Sequence, residues 1–278
     1  MALATRAVRQ LKKPVKTKYV QIIINFSIIT LIGVVIFRNF FLTNEWPGGG
    51  DVLGWISKAY LWRDFRWLYV WRQYSFGFVE GMAIRVMDLS FLSIYYGCGD
   101  PAVTVKIFLF LFFLIAGFSA YAFAYRFTHK HIASLLASMT YTLNSWFFSQ
   151  FTEAHADIVF SYALAPLIFL LVDRAFDRRK PKDVLALAIG LSVSLTSFHL
   201  ESMVIYGAFL ILFVILYILS AHTEGDNFRL RFKHFLKPFF PAFLIAISLS
   251  AFYYAQFAIT VPYVSPAYGY PAEWAAMD

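Results

Sequence analysis

The sequence predicts an all-α, polytopic transmembrane helical bundle of about seven spans, with interfacial amphipathic helices in its first external loop. Three observations predict it. The 278 residues are 60% hydrophobic and only 14% charged, whereas soluble domains carry about 25% charged residues. Apolar runs recur at about 20–42, 102–125, 131–149, 158–173, 184–198, 202–220 and 238–260, most of them near the roughly 20 residues a spanning helix needs. Lys and Arg gather in alternate connections, as they do in cytoplasmic loops.

The elements follow in order. Residues 1–19 form a basic cytoplasmic tail with Arg6, Arg9, Lys12, Lys13, Lys16 and Lys18. The run after it is too long for a signal peptide, so 20–42 reads as a retained first span. A large external loop covers 43–101, six further spans cover 102–260, and 261–278 is an external tail. The connections holding Arg126 and Lys130, then Arg174 to Lys182, then Arg229 to Lys237 are basic. Those holding SQFTEAHAD and SFHLES, and the C-terminal tail, contain no Lys or Arg. This alternation requires 184–220 to be a hairpin, with the N-terminus inside and the C-terminus outside. A plasma membrane is the expected location. Topology also accounts for the net charge of +8, which leaves nucleic acid out and membrane lipid as the natural partner of the basic face.

In the first loop, 52–64 places Gly54, Ser57, Lys58 and Asp64 opposite Val52, Trp55, Ile56, Ala59 and Trp62. A second stretch places Gly81, Arg85 and Asp88 opposite Met82, Ile84, Val86, Met87, Leu89 and Leu92. Such helices lie in the interface. Span interiors show Asn25, Asn144 and Gln256 but no buried charge pair and no inverted repeat. The single cysteine, Cys98, excludes an intrachain disulfide and a cysteine-based zinc cluster.

The remaining polar groups sort to the external side. Asp51 follows Pro47-Gly48-Gly49-Gly50 just beyond the first span. It is either the N-cap of a helix starting at Val52 or a carboxylate on a backbone that a ligand approaches closely. Glu153, His155 and Asp157 lie between the third and fourth spans, and His199 and Glu201 between the fifth and sixth. These are wet-loop residues, or groups facing a cavity. His155 and Asp157 are also candidate ligands for a divalent metal such as Mg or Mn. Arg63, Arg66, Arg72 and Arg85 oppose the positive-inside bias. They pair with Asp64, Glu80 and Asp88, or bind phosphate through the guanidinium fork.

An acidic residue after the first span, in a large external loop, resembles the GT-C superfamily of integral-membrane glycosyltransferases. Tyr141, His155 and the run Tyr162-Ala163-Leu164-Ala165-Pro166-Leu167 are similar to a bacterial and archaeal branch of uncertain function. Some of its members are labelled as pyruvoyl-tetrahydropterin synthase-related, although no residue here supports a pterin reaction. The resemblance covers essentially the whole chain as a seven-span module. It implies transfer of a sugar from a polyprenyl-phosphate carrier to an acceptor glycan, lipid or protein at the external face, with Asp51 as general base. Many members have a second acidic residue adjacent; here the neighbours are Gly50 and Val52. The chain stops at PAEWAAMD, short of the further spans or soluble domain that members carry, so a fragment, a minimal member and one half of a complex all fit. In the expected mechanism the arginines stabilise the leaving phosphate. His155, Asp157, His199 and Glu201 then bind sugar hydroxyls, hold a metal or orient the acceptor. The alternatives are a lipid or saccharide transporter or flippase, and a non-catalytic assembly subunit of the same fold.

Overall fold

The computed structural model describes residues 15–43, 86–153, 155–197, 200–220 and 228–268, and all regular structure among them is helical. The elements are α1 (Val15–Ile36), α2 (Arg38–Leu42), α3 (Val86–Cys98), α4 (Pro101–Thr128), α5 (His131–Thr142), α6 (Ser145–Thr152), α7 (Ala156–Arg178), α8 (Pro181–Ser197), α9 (Leu200–Ser220) and α10 (Phe228–Tyr268).

Four stretches are long and apolar enough to cross a membrane: Tyr19–Ile36, Pro101–Thr128, Ala156–Arg178 and Phe232–Ala255. The expected third span, 131–149, is two shorter helices with a break at Leu143-Asn144. The expected fifth is the 17-residue α8, and the sixth has a described apolar part of Ser202–Leu216. The protein is therefore an integral, multi-pass helical membrane protein.

Local chemistry sets the helix ends. Asp100 caps α4 by accepting from the Val103 N–H at 2.9 Å, and Pro101 occupies the first turn, where a missing N–H costs nothing. His129 and Arg179 close α4 and α7 in the left-handed conformation, at φ 53° and 52°. Asn144 caps α6 by accepting from the Phe147 N–H at 2.9 Å.

α4 and α7 form the centre of the bundle. Phe37 packs against Phe110, Phe113 and Phe151, and Phe112 against Phe160. Small residues permit close helix approach, as is usual in lipid. A Cβ on Gly117 would lie 2.7 Å from Ile29 Cγ2, and the Ser138 hydroxyl donates to the Gly117 carbonyl at 2.7 Å. α10 closes the bundle against α8, with Ser192 and Ser250 hydroxyls 3.0 Å apart.

α3 corrects the amphipathic assignment. Asp88, expected on a polar face opposite Met87 and Leu89, is 6% exposed beside the fully buried Met87, whereas Leu89 is 46% exposed. Phe91 packs edge-on to Phe108 of α4, and the Met87 N–H donates to Ser197 Oγ of α8 at 3.3 Å. The inward face of α3 meets protein, where a polar group finds partners. An outward leucine meets lipid at no cost. The expected helix over 52–64 lies outside the described residues.

A buried charge pair also appears where none was expected. Arg126 near the end of α4 donates to Asp173 at 2.6 Å and to Asp177 at 2.8 Å, both on α7; the Asp173 side chain is 3% exposed. It escapes a hydropathy reading because it sits in the last turns of two long apolar helices. Replacing Arg126 with Met strands the Asp173 carboxylate. Breaking fully buried pairs costs about 3–5 kcal/mol, and the one-third exposure of Arg126 puts this nearer about 2–3 kcal/mol. Thermal unfolding in detergent should show that loss for Arg126→Met and recover most of it in Arg126→Met/Asp173→Leu; equal loss in both would show the pair is not what holds α4 to α7.

Candidate functional site: a tyrosine-lined cavity below a recessed polar end

The α5–α6 break and the α7 proline are complementary defects. Pro166 has no N–H for the Tyr162 carbonyl four residues earlier. The Tyr141 hydroxyl supplies one, donating to that carbonyl at 2.7 Å. The end of α5 leaves the Tyr141 carbonyl without a helical donor. The Tyr162 hydroxyl donates to it at 2.8 Å, and Asn144 Nδ2 at 2.6 Å. Asn144 Nδ2 also donates to the Tyr162 hydroxyl at 2.8 Å. The two rings stack at 4.1 Å, 11° from parallel.

This exchange forms one wall of a half-open cavity of about 650 Å³ between α4, α5, α6, α7 and α9. Phe123, Phe169 and Phe209 supply apolar surface, Trp146 closes one side, and Ser202 and Tyr206 bring hydroxyls from α9. A second cavity of about 130 Å³ shares Ala165, Phe169 and Tyr206 and runs beneath α9 past Gly207. A Cβ on Gly207 would meet nothing within 4 Å. The space therefore extends along both sides of Tyr206.

The polar end lies above. α8 has 17 described residues against 23 in the antiparallel α7, which for straight helices at 1.5 Å per residue puts Ser197 about 9 Å below the α7 N-terminus. His155 is the α7 N-cap residue, with Nδ1 2.8 Å from Gln150 Oε1 and 3.4 Å from Glu153 Oε2. Asp157 lies in the first turn of α7, where a carboxylate suits the helix dipole, and its Oδ1 accepts from the Ile158 N–H at 3.0 Å. His155 and Asp157 thus share one end of the bundle. Glu201 is the second residue of α9, at the recessed turn; its side chain lies outside the described residues, as do Asp51, Arg63, Arg66, Arg72, Arg85 and His199. Among the described residues no group of three or more His, Cys, Asp or Glu is placed to hold a metal. His155 and Asp157 alone make a poor donor set for Mg or Mn, and no step proposed for this protein runs through one.

One residue at this end was missed by sequence reasoning. Lys106 in α4 is 6% exposed, and its Nζ donates to the Thr43 carbonyl at 2.6 Å while lying 5.8 Å from the Phe40 ring centroid. A charge at membrane depth is a functional candidate by default. The available signal was its place as the sole cation in a long apolar run.

Residues 89–255 match the family described as 6-pyruvoyl-tetrahydropterin synthase related domain, membrane protein. The chain belongs to this family. No curated protein and no solved structure matches it. The family match spans α4 to α9 entire, and so includes the tyrosine exchange and the cavity it borders. A GT-C assignment rests on the sequence resemblance alone.

The complementary defects make a double-mutant prediction. Tyr141→Phe leaves the Tyr162 carbonyl buried without a donor, at a cost of about 1–3 kcal/mol. Pro166→Ala restores the backbone N–H. Measured by denaturation in detergent, Tyr141→Phe should cost at least about 1 kcal/mol less in the Pro166→Ala background. Additive losses would show that the hydroxyl does not serve that carbonyl.

Proposed function

We propose that the chain is a seven-span membrane glycosyltransferase that moves a sugar from a polyprenyl-phosphate carrier to an acceptor at the non-cytosolic face. The observation that carries this reading is the half-open, largely apolar cavity of about 650 Å³ within the bundle. It suits an apolar chain whose headgroup is presented above it.

In the reaction, ionised Asp51 accepts the proton of an acceptor hydroxyl as that oxygen bonds to the anomeric carbon. The bond from that carbon to the phosphate oxygen breaks, and the polyprenyl phosphate leaves with the electron pair. A positioned base contributes about 10²–10⁴-fold. Arg63, Arg66, Arg72 and Arg85 stabilise the departing charge; His155, His199 and Glu201 bind sugar hydroxyls. Lys106 is a positioning residue. By holding the Thr43 carbonyl it fixes where the segment leading to Asp51 leaves the bundle.

A transporter or flippase is the second reading, favoured by one observation. The α5–α6 discontinuity and the α7 proline sit within the bundle, as broken helices do in transporters.

In proteoliposomes supplied with polyprenyl-phosphate-linked sugars, Asp51→Asn should lower transfer by about 10²-fold or more with membrane insertion unchanged. Ala137→Trp, which fills the cavity from the turn of α5 before Tyr141, should raise KM for the carrier more than it lowers kcat. Undiminished transfer by Asp51→Asn would remove the base. Counterflow of the lipid-linked sugar without transfer would replace the enzyme with a transporter.

A further inference from the structure

A third pocket lies at the opposite end of the bundle, and the proposed reaction makes no use of it. Its volume is about 510 Å³, and Arg179, Lys233, His234, Leu236, Lys237, Phe240 and Pro241 line it. Its geometry follows from two elements. Arg179 closes α7 in the left-handed conformation, which turns its side chain across the helix end; its Nε donates to the Phe176 carbonyl at 3.3 Å. α10 is held alongside by Phe235, which stacks on Phe176 at 4.1 Å and 18°. With Phe235 facing α7, residues 233, 236, 237, 240 and 241 recur at the helical i, i+3, i+4, i+7, i+8 spacing and form one stripe bordering Arg179.

The stripe is graded. Lys233 and Lys237 lie in the first turns of the membrane-crossing stretch Phe232–Ala255. Phe240, 59% exposed, and Pro241 come next along the helix. Lys233 to Pro241 is eight residues, a rise of about 12 Å. Cations at the boundary followed by exposed apolar surface toward the membrane interior is the footprint of an anionic amphiphile. Among the described residues, nearby carboxylates do not neutralise the cations. Asp173 and Asp177 are both held by Arg126, and Asp183 is buried. Among the described residues Arg179, Lys233 and Lys237 form no ion pair.

We propose that this pocket binds the phosphodiester headgroup of an anionic phospholipid, with the Arg179 guanidinium and the two lysine ammonium groups on the phosphate and an acyl chain along Leu236 and Phe240. Phospholipid rather than free phosphate is the occupant because the apolar half of the stripe adjoins the cationic half at membrane depth. The site is independent of the sugar-transfer reading and stands or falls separately from it.

The test compares full-length protein in phosphatidylcholine nanodiscs with and without phosphatidylglycerol, reading retained lipid by native mass spectrometry and stability by thermal unfolding. Wild type should retain phosphatidylglycerol and gain stability from it. K233Q/K237Q should lower retention by about a hundredfold, because each substitution removes a charge-assisted hydrogen bond to the phosphate, and lose the stability gain. K130Q/K182Q removes two exposed charges outside the pocket, and should change retention a few-fold at most. If K233Q/K237Q unfolds in phosphatidylcholine alone, K237E serves in its place. Equal loss in the two paired variants would show diffuse attraction and overturn the pocket. Stabilisation by inorganic phosphate in phosphatidylcholine discs, equal to that from phosphatidylglycerol, would overturn the lipid as occupant.

Discussion

The reciprocal exchange between Tyr141 and Tyr162 is the constraint on which the middle of this molecule depends. Within hydrocarbon no water is available for an orphaned carbonyl, and each unsatisfied group costs several kcal/mol. A break between α5 and α6 and a proline in α7 would each create one. Placing them side by side lets two tyrosine hydroxyls and one asparagine amide satisfy both. The stacked rings then form one wall of the cavity that α9 borders on another side, so the residues that satisfy the backbone also shape the space.

The same solvent argument inverts the usual reading of burial. α3 turns Asp88 inward and Leu89 outward, and Asn25 in α1 is buried against the Tyr121 hydroxyl, 3.0 Å from its Nδ2, and the Gln21 carbonyl. Much of the outer surface of α1, α9 and α10 is leucine, isoleucine, valine and phenylalanine. In water that surface would be a large sticky patch; in lipid it is neutral. Specificity of packing therefore comes from phenylalanine interlocking, glycine contacts and serine hydrogen bonds, because apolar burial alone does not distinguish protein from lipid.

This explains what the sequence could convey. Apolar runs and alternating charge are strong signals, and within the described residues helices occupy each of the seven apolar runs. The α5–α6 break was not legible, because Asn144 in an apolar run reads as one tolerated polar residue; only its partner Tyr162, eighteen positions later, makes it a cap and a bridge. Pro166 was visible as part of a family-like run, but its meaning depends on which residue donates to Tyr162. Lys106 was lost in averaging over 28 residues of α4. The α3 faces were misassigned because an interfacial helix and one packed against a bundle share a pattern, and differ only in what lies opposite.

The exchange also bears on which ligand the cavity can take. The Tyr141 and Tyr162 hydroxyls are committed to backbone carbonyls, and so present mainly ring surface to the space beside them. A sugar there would leave several of its hydroxyls unpaired, each at a cost of about 1–3 kcal/mol. An isoprenoid or acyl chain loses nothing. In the proposed reading a carrier lipid places its tail in this space, and its polar headgroup lies outside it. On that reading, the asymmetry between an apolar chain and sugar hydroxyls favours chemistry on a lipid-borne group over conduction of a free sugar through the cavity.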